Sequence, residues 1–576
     1  MFAFSRFSSN VAKITATILS VLVLFTQGSG EILADNSRTG LSLKGSRNSI
    51  LSIYSHSFYD PTVKVHSAGT IKKKAKYTMH LAKNETEYCQ LAIRSRQFRS
   101  HSFVELGEFK NEAGDVLPAS LYYEYEVQAY DDIHFNTFPD PILPLKNNRF
   151  EYASLKETNM VFAIIVKSDK NTKPGKYTAT IKYGNRDTNG DKYENSTATV
   201  TAEVWNFTLN DAPAMESAFQ IWEPNLSPIF NIEKGTEEWT ELYIKYYEML
   251  LEHNVSPFAL PYDILDPRAD AYMSDPRLKN FMIPYSSDDE VIKAYYRKLS
   301  SNPEWFKKAY FYPVDEPHTN EQIQQYEKIC ERLSVLFPGY HMVTPFFTNV
   351  VEGNERTNLE IQSGKSDILC PETVLYNEEG FGEKIAARVS QGDRSWWYVC
   401  CGPNANTGMC NLFVQLDGIK HRVLFWQQYD YDVTGLLYWS VSYYYQGEES
   451  LGLWKENPGM GVWRSALTAP WTGSNTYGDG LLIYPGVKDL KLSVQFIADY
   501  TFEENIPVSS LRLEAVANGV EDYEYLKMAE ELLGKKYVDK TVKKITKSLD
   551  NYTYSDSTFA KVRNELGNAI EKAINK

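Results

Sequence analysis

Cysteine is scarce in this 576-residue chain, with six residues in all, too few for a disulfide scaffold and spaced to match no zinc template. Long apolar runs are missing too. The longest, Ile14 to Phe25, falls short of the roughly 20 residues that a bilayer span needs. Basic residues are outnumbered, 60 Lys and Arg against 74 Asp and Glu for a formal net charge of −14, which repels phosphate backbones and anionic membranes and argues against nucleic-acid partners. The nine His residues are scattered and leave little material for a metal site. No P-loop, no Gly-x-Gly-x-x-Gly after a strand, no Gly-x-Ser-x-Gly elbow and no His-Glu-x-x-His occurs, so nucleotide, dinucleotide, serine-esterase and zincin chemistries lack their usual sequence carriers.

What the chain has in quantity is aromatic side chains: 40 Tyr, 28 Phe and 11 Trp. Flat apolar faces with polar edges suit stacking on sugar rings, and they also serve as half-buried core. The N-terminus reads as an export signal over residues 1–30. Arg6 and Lys13 precede the apolar run, and small residues follow at Gly28, Ser29, Gly30 and Ala34, which predicts a secreted, periplasmic or cell-surface protein. In an oxidising compartment Cys401 and Cys410 could close a loop.

The length predicts two or three domains. Residues 36–210 read as an all-β sandwich, with short alternating runs between turn signals. Lys173-Pro-Gly175 precedes the run 176–183, Asn189-Gly-Asp191 follows it, and the run 198–205 comes next. A period of two places Tyr177, Ala179, Ile181 and Tyr183 on one face. The Lys-rich segment 71–76 reads as a solvated edge.

Over 212–489 the pattern changes to short apolar strands alternating with helices. Strands are expected at 217–222, 255–260, 280–285, 309–314, 341–346, 367–370, 396–400 and 435–440. Helices are expected at 237–252, 290–299, 321–336, 380–390 and 418–429. Eight such units predict a (β/α)₈ barrel with its active site at the C-terminal ends of the strands. Residues 490–576 are read as a helical region packed on the barrel, with helices at 521–533 and 557–574. The fold class is thus multidomain, an all-β part plus an α/β part.

The segment Phe311-Tyr-Pro-Val-Asp315-Glu316-Pro317-His318 closes the fourth expected strand with adjacent carboxylates. Neighbours on a regular strand point to opposite faces, so both reach one pocket only where the pleat ends. Pro317 is expected to hold Glu316 extended. Burial and mutual repulsion would push one carboxyl toward the protonated form that an acid catalyst needs. The same tripeptide also serves elsewhere as a helix N-cap with a solvated Glu, and residue chemistry alone leaves the two roles open. Glu372, after the sixth strand, is a rival carboxylate. Trp397 and Tyr398 on the seventh strand, Tyr438 and Trp439 on the eighth, and Tyr484 beyond it are candidate sugar-facing residues. Arg512, Glu514, Asp522 and Glu524 read mainly as a structural ion-pair network.

The Asp-Glu-Pro strand end, the Gly435-Leu-Leu-Tyr-Trp439 strand, Gly478-Asp-Gly-Leu-Leu-Ile-Tyr-Pro-Gly486 and the segment Leu511 to Tyr525 together resemble glycoside hydrolase family 123 and its uncharacterised relatives. The resemblance implies a retaining, substrate-assisted β-N-acetylgalactosaminidase reaction, with Glu316 as acid/base and Asp315 orienting the 2-acetamido group. It implies an oligosaccharide or glycoconjugate substrate and neither metal nor organic cofactor. A glycosidase acting on another sugar and a non-catalytic glycan-binding protein are the rival expectations.

Overall fold

Two sheets dominate the first third of the chain. In the computed structural model residues 53–130, 135–186, 193–444, 462–463, 476–494 and 498–575 are described. The expected export signal and the Asn189-Gly-Asp191 turn lie outside these residues. One sheet has five antiparallel strands, in the order Tyr54–Tyr59, Thr86–Ser95, Asn159–Lys167, Ala119–Tyr130 and Phe135–Pro144. The other runs Lys76–Lys83, Tyr193–Thr208, Gly175–Arg186, Arg99–Leu106 and Arg149–Ser154, with two short strands at one side. Their inner faces meet through rings: Tyr54 against Tyr183, Tyr123 against Phe150 and Phe162 against Tyr152. Tyr177, Ala179, Ile181 and Tyr183 are all buried on one face of their strand, which is the alternation that a half-buried strand requires. Lys72 to Lys74 are exposed and precede the edge strand Lys76–Lys83.

From Glu216 onward, parallel segments form a closed hydrogen-bonded circuit. Glu216–Phe219 pairs with Gly435–Tyr438, which pairs with Arg394–Val399, then Ile368–Pro371, then Val343–Phe346. A Phe311–Met342 bridge continues to Ala309–Phe311, which pairs with Phe281–Ile283. The Met282 amide donates to Phe258 O at 2.7 Å and the Phe258 amide to Phe219 O at 3.1 Å, which returns the circuit to its start. The expected strand 255–260 is reduced to a single bridge at Pro257, because proline has no N–H for a ladder. All eight segments contribute side chains to one inner cluster: Ala218, Phe258, Met282, Tyr310, Val343, Ile368 with Cys370, Trp396 with Tyr398, and Leu437.

Helices Glu237–Glu252, Asp289–Ser300, Asn320–Leu336, Phe381–Val389 and Gly418–Asp430 lie between these segments, within a residue or two of expectation. Asn320–Leu336 opens with a capping box in which the Thr319 side chain accepts from the Gln322 amide. The cap is therefore Thr319, and Asp315 and Glu316 are free of that duty. Leu511–Leu533 begins ten residues before the expected start, and its first sixteen residues are all buried; burial on every side erases the amphipathic period that marks a helix start. Short strands Lys491–Val494, Ala498–Thr501 and Ile506–Val508 precede it, where few strands were expected. Among the described residues no helix is long and apolar enough to cross a membrane.

The sheets and the circuit are joined by buried charge. Arg422 donates to Asp522, Arg563 to Asp522 and Glu85, and Arg512 to Asp140, all of them at most 4 % exposed in the side chain. Ile53–Lys576 forms one compact unit.

Candidate active site

Asp315 and Glu316 do not end a strand. The strand stops at Phe311, and the pair sits in the turn that follows. Glu316 has φ +44°, so it is left-handed rather than extended as expected ahead of Pro317. Non-glycine residues seldom accept this conformation, and it costs on the order of 1–3 kcal/mol when held. The turn breaks the alternation that would otherwise separate adjacent side chains. His318 Nδ1–H, donating to Glu316 O at 2.8 Å, helps to hold it.

Two tyrosines anchor the pair. Tyr312 Oη donates to Asp315 Oδ1 at 2.5 Å, and Tyr398 Oη donates to Glu316 Oε1. Tyr398 reaches Glu316 because it belongs to the inner cluster at the end of its strand. Burial pushes the Glu316 carboxyl above the ordinary carboxylate range, the Tyr398 hydroxyl opposing and the Asp315 charge adding to the rise. Glu372 pairs with Tyr398 through a parallel bridge. Its carboxyl is pushed up to about 7, by burial first and the Glu316 charge second. Gly402 makes that approach feasible: a Cβ there would lie 2.2 Å from Glu372 Oε1, so any side chain would collide with the carboxyl.

Of the aromatic candidates, Trp439 is half-buried at the end of the Gly435–Tyr438 strand and packs with Trp222 and Tyr443 at centroid separations of 6.0 and 4.9 Å. Three others are corrected. Trp397 alternates outward from Trp396 and Tyr398, is fully buried, and donates from Nε1 to Gln428 on helix Gly418–Asp430 at 3.2 Å. Tyr438 is fully buried against Phe219, and its hydroxyl accepts the Gly480 amide at 2.9 Å. Tyr484 is fully buried and donates to Asp140 at 2.7 Å. None of the three offers a free face to a sugar; period-two alternation and the close packing of the 478–486 turn place them in the interior. The reading of Arg512, Glu514 and Asp522 as structural charges agrees with their partners Asp140, His253 and Arg422. Glu524 accepts the Asn210 amide at 2.7 Å.

Sequence reasoning passed over Tyr312, Trp222, Tyr443 and, above all, Asp479. Asp479 sits between Gly478 (φ +73°) and Gly480 (φ +74°), and a Cβ on Gly480 would lie 2.3 Å from the Trp439 ring. Trp439 Nε1 donates to Asp479 Oδ1 at 3.0 Å. A lone acid between two glycines that tolerate left-handed backbone was the available signal. Cys400 Sγ lies 3.6 Å from Cys401 Sγ, and Cys401 and Cys410 are both free thiols, so the loop that they could have closed is not bridged.

Residues 289–529 match the family described as glycoside hydrolase 123, catalytic domain. They contain Asp315, Glu316, Glu372, Tyr398, Trp439 and Asp479. The fold is similar to that of a family 123 glycoside hydrolase from Clostridium perfringens, at 13% identity and a TM-score of 0.62 over 91% of this chain and 98% of that one. A β-D-glucuronidase from Dictyoglomus thermophilum aligns at 9% identity and a TM-score of 0.23, over 66% of this chain and 61% of that one, a likeness too weak to carry argument. No curated protein sequence matches. Residues 289–529 thus match a glycoside hydrolase 123 catalytic-domain model, within a fold similar to that of a family 123 glycoside hydrolase.

Proposed function

We propose that the protein is an exported hydrolase of β-linked N-acetylhexosamine, N-acetylgalactosamine by preference, working with retention and with the substrate's own acetamido group as nucleophile. In this reading the two facing sheets are a β-sandwich, the eight-segment circuit is a (β/α)₈ barrel and the last helices brace it. The observation that carries the mechanism is the left-handed turn at Glu316, just beyond the Ala309–Phe311 strand, in which two consecutive carboxyls are each held by a tyrosine hydroxyl.

Conventional glycosidases set their carboxyls about 5–9.5 Å apart on opposite faces of the sugar. Adjacent residues in one turn are poorly placed for that, and well placed for substrate assistance. The acetamido oxygen attacks C1 as the bond from C1 to the aglycone breaks. Glu316, held toward its protonated form, delivers its proton to the departing oxygen. Asp315 accepts a hydrogen bond from the acetamido N–H and stabilises the oxazolinium-like intermediate. Water then adds at C1, gives its proton to Glu316 and regenerates the acetamido group. The Clostridium perfringens relative is described in terms of glycolipid glycan hydrolysis, which supports a glycoconjugate substrate here.

The test is kinetic. Glu316→Gln is expected to lower kcat about 10²–10⁴-fold on natural glycans, the usual worth of a positioned proton donor, while sparing departure of activated aryl groups. Asp315→Asn is expected to slow every 2-acetamido substrate, and a thiazoline mimic of the intermediate to inhibit. Wild-type rates in both variants, or equal cleavage of sugars without the acetamido group, would overturn the mechanism.

A further inference from the structure

The Gly478-Asp-Gly turn presents a carboxylate that the hydrolytic mechanism does not use. Asp479 is 3 % exposed, and while Oδ1 is held by the Trp439 indole, Oδ2 is buried with no hydrogen-bond partner among the described residues. An unmatched buried acceptor is costly and native structures retain few of them. The turn is not loose. Arg512 donates to Gly478 O at 2.7 Å and also to Leu481 O; it is fully buried and paired with Asp140. The carboxylate is thus fixed, half-satisfied and next to a half-buried indole.

Its position relates it to Glu316. Trp439 directly follows the eighth segment of the circuit and Glu316 lies beyond the fourth, so the two stand across the ring from one another. Tyr398, which donates to Glu316 and bridges Glu372, lies on the strand paired with Gly435–Tyr438, and Trp439 at the end of that neighbouring strand donates to Asp479, so the three acids stand at the same end of the circuit. A pyranose has the same polarity: C1 at one end, the C4 and C6 hydroxyls at the other. A carboxylate oxygen accepts only from donors, and sugar hydroxyls beside an aromatic face supply them.

We infer that Asp479 is a specificity-determining residue whose Oδ2 accepts hydrogen bonds from the C4 and C6 hydroxyls of the hexose whose C1 faces Glu316. The inference rests on the proposed sugar chemistry of this site and adds the element that reads the far end of the ring. A site built to match a hydroxyl rejects an analogue lacking it strongly, because the acceptor is again left alone.

The experiment is calorimetric titration of the full chain with methyl 2-acetamido-2-deoxy-β-D-galactopyranoside and its 4-deoxy and 6-deoxy analogues. Wild type is expected to lose about 10- to 100-fold in affinity for at least one analogue. Asp479→Asn is expected to bind the parent sugar about tenfold or more weakly and to bind parent and analogues alike. Trp439→Phe keeps an aromatic face but removes the N–H that fixes Oδ1; it is expected to lose part of the discrimination, and it serves if Asp479→Asn does not fold. Unchanged discrimination in the variants, no discrimination in wild type, or no binding of any of the three sugars by wild type would each overturn the inference. Turnover by Glu316→Gln decides the hydrolytic reading separately: a wild-type rate there would sink that reading and leave the deoxy-sugar pattern to decide the role of Asp479.

Discussion

Replacing Asp479 by Asn keeps the side-chain shape and removes the charge, and the structure fixes what this does to stability. Burial pushes the Asp479 carboxyl from an ordinary 3.8 up to about 7, against the opposing effects of the Trp439 N–H and the Arg512 charge. The folded state therefore binds this proton more tightly than the unfolded chain. The stability it contributes is complete below the unfolded value and is lost as pH rises through about 7. At about 1.4 kcal/mol per pH unit the full effect is roughly 4 kcal/mol, of which about 3 falls between pH 5 and pH 8. The variant lacks the titration. Its amide has no better partner for the second position than Oδ2 has, which costs roughly 1–3 kcal/mol at every pH and leaves the slope untouched. Urea unfolding of both proteins at pH 5, 6, 7 and 8 is expected to show the variant gaining on wild type by about 3 kcal/mol across the series. Parallel curves would mean that the Asp479 charge is already matched, and with it the case for a waiting acceptor would fall.

Trp439→Ala is expected to weaken sugar binding or turnover by about 1–3 kcal/mol with the fold intact, the worth of a lost stacking contact; an unfolded variant would mark Trp439 as core. Burial first and the Glu316 charge second push the Glu372 carboxyl up to about 7, so in Glu316→Gln its titration is expected to move partway down, read by NMR of labelled Glu side chains. An unmoved titration would separate the two carboxyls. Arg512→Met leaves Asp140 buried without its cation and is expected to cost roughly 3–5 kcal/mol in urea unfolding, most of it recovered by Asp140→Leu in the same chain.

The circuit of parallel segments was legible because several units announce themselves by a short apolar run, a polar break and a capped helix, as at Thr236 ahead of Glu237–Glu252 and Thr319 ahead of Asn320–Leu336. The acidic pair Asp315 and Glu316 was legible for a related reason, since two adjacent acids before a proline stand out after an apolar run. Side-chain direction was harder to read. Trp397 and Tyr398 are equivalent as letters, and only the register of Arg394–Val399 sends Tyr398 inward to Glu316 and Trp397 outward to Gln428. Glu316 was misread because proline's restraint on the preceding residue is a preference, and here the His318 contact and the turn outweigh it. Asp479 was missed because its significance lies in what it lacks among the described residues, an Oδ2 partner, and no local pattern records that.

The route from Asp140 to Asp479 explains why a catalytic segment of this kind comes with two sheets ahead of it. Arg512 directs its N–H groups at the Asp140 carboxylate, at Leu412 O and at the two carbonyls that bracket the Asp479 turn. A fully buried guanidinium is tolerable only with its charge paired and its donors filled, and the acid comes from Phe135–Pro144, outside the matched segment 289–529. The sheets thus supply the counter-charge that lets an arginine sit behind the sugar-reading turn. The arginine holds Gly478 and Leu481, and these hold Asp479 against the Trp439 indole. Because each group depends on the one behind it, geometry at the mouth of the circuit is set by a carboxylate on a different sheet, and catalytic segment and preceding sheets act as one structural unit.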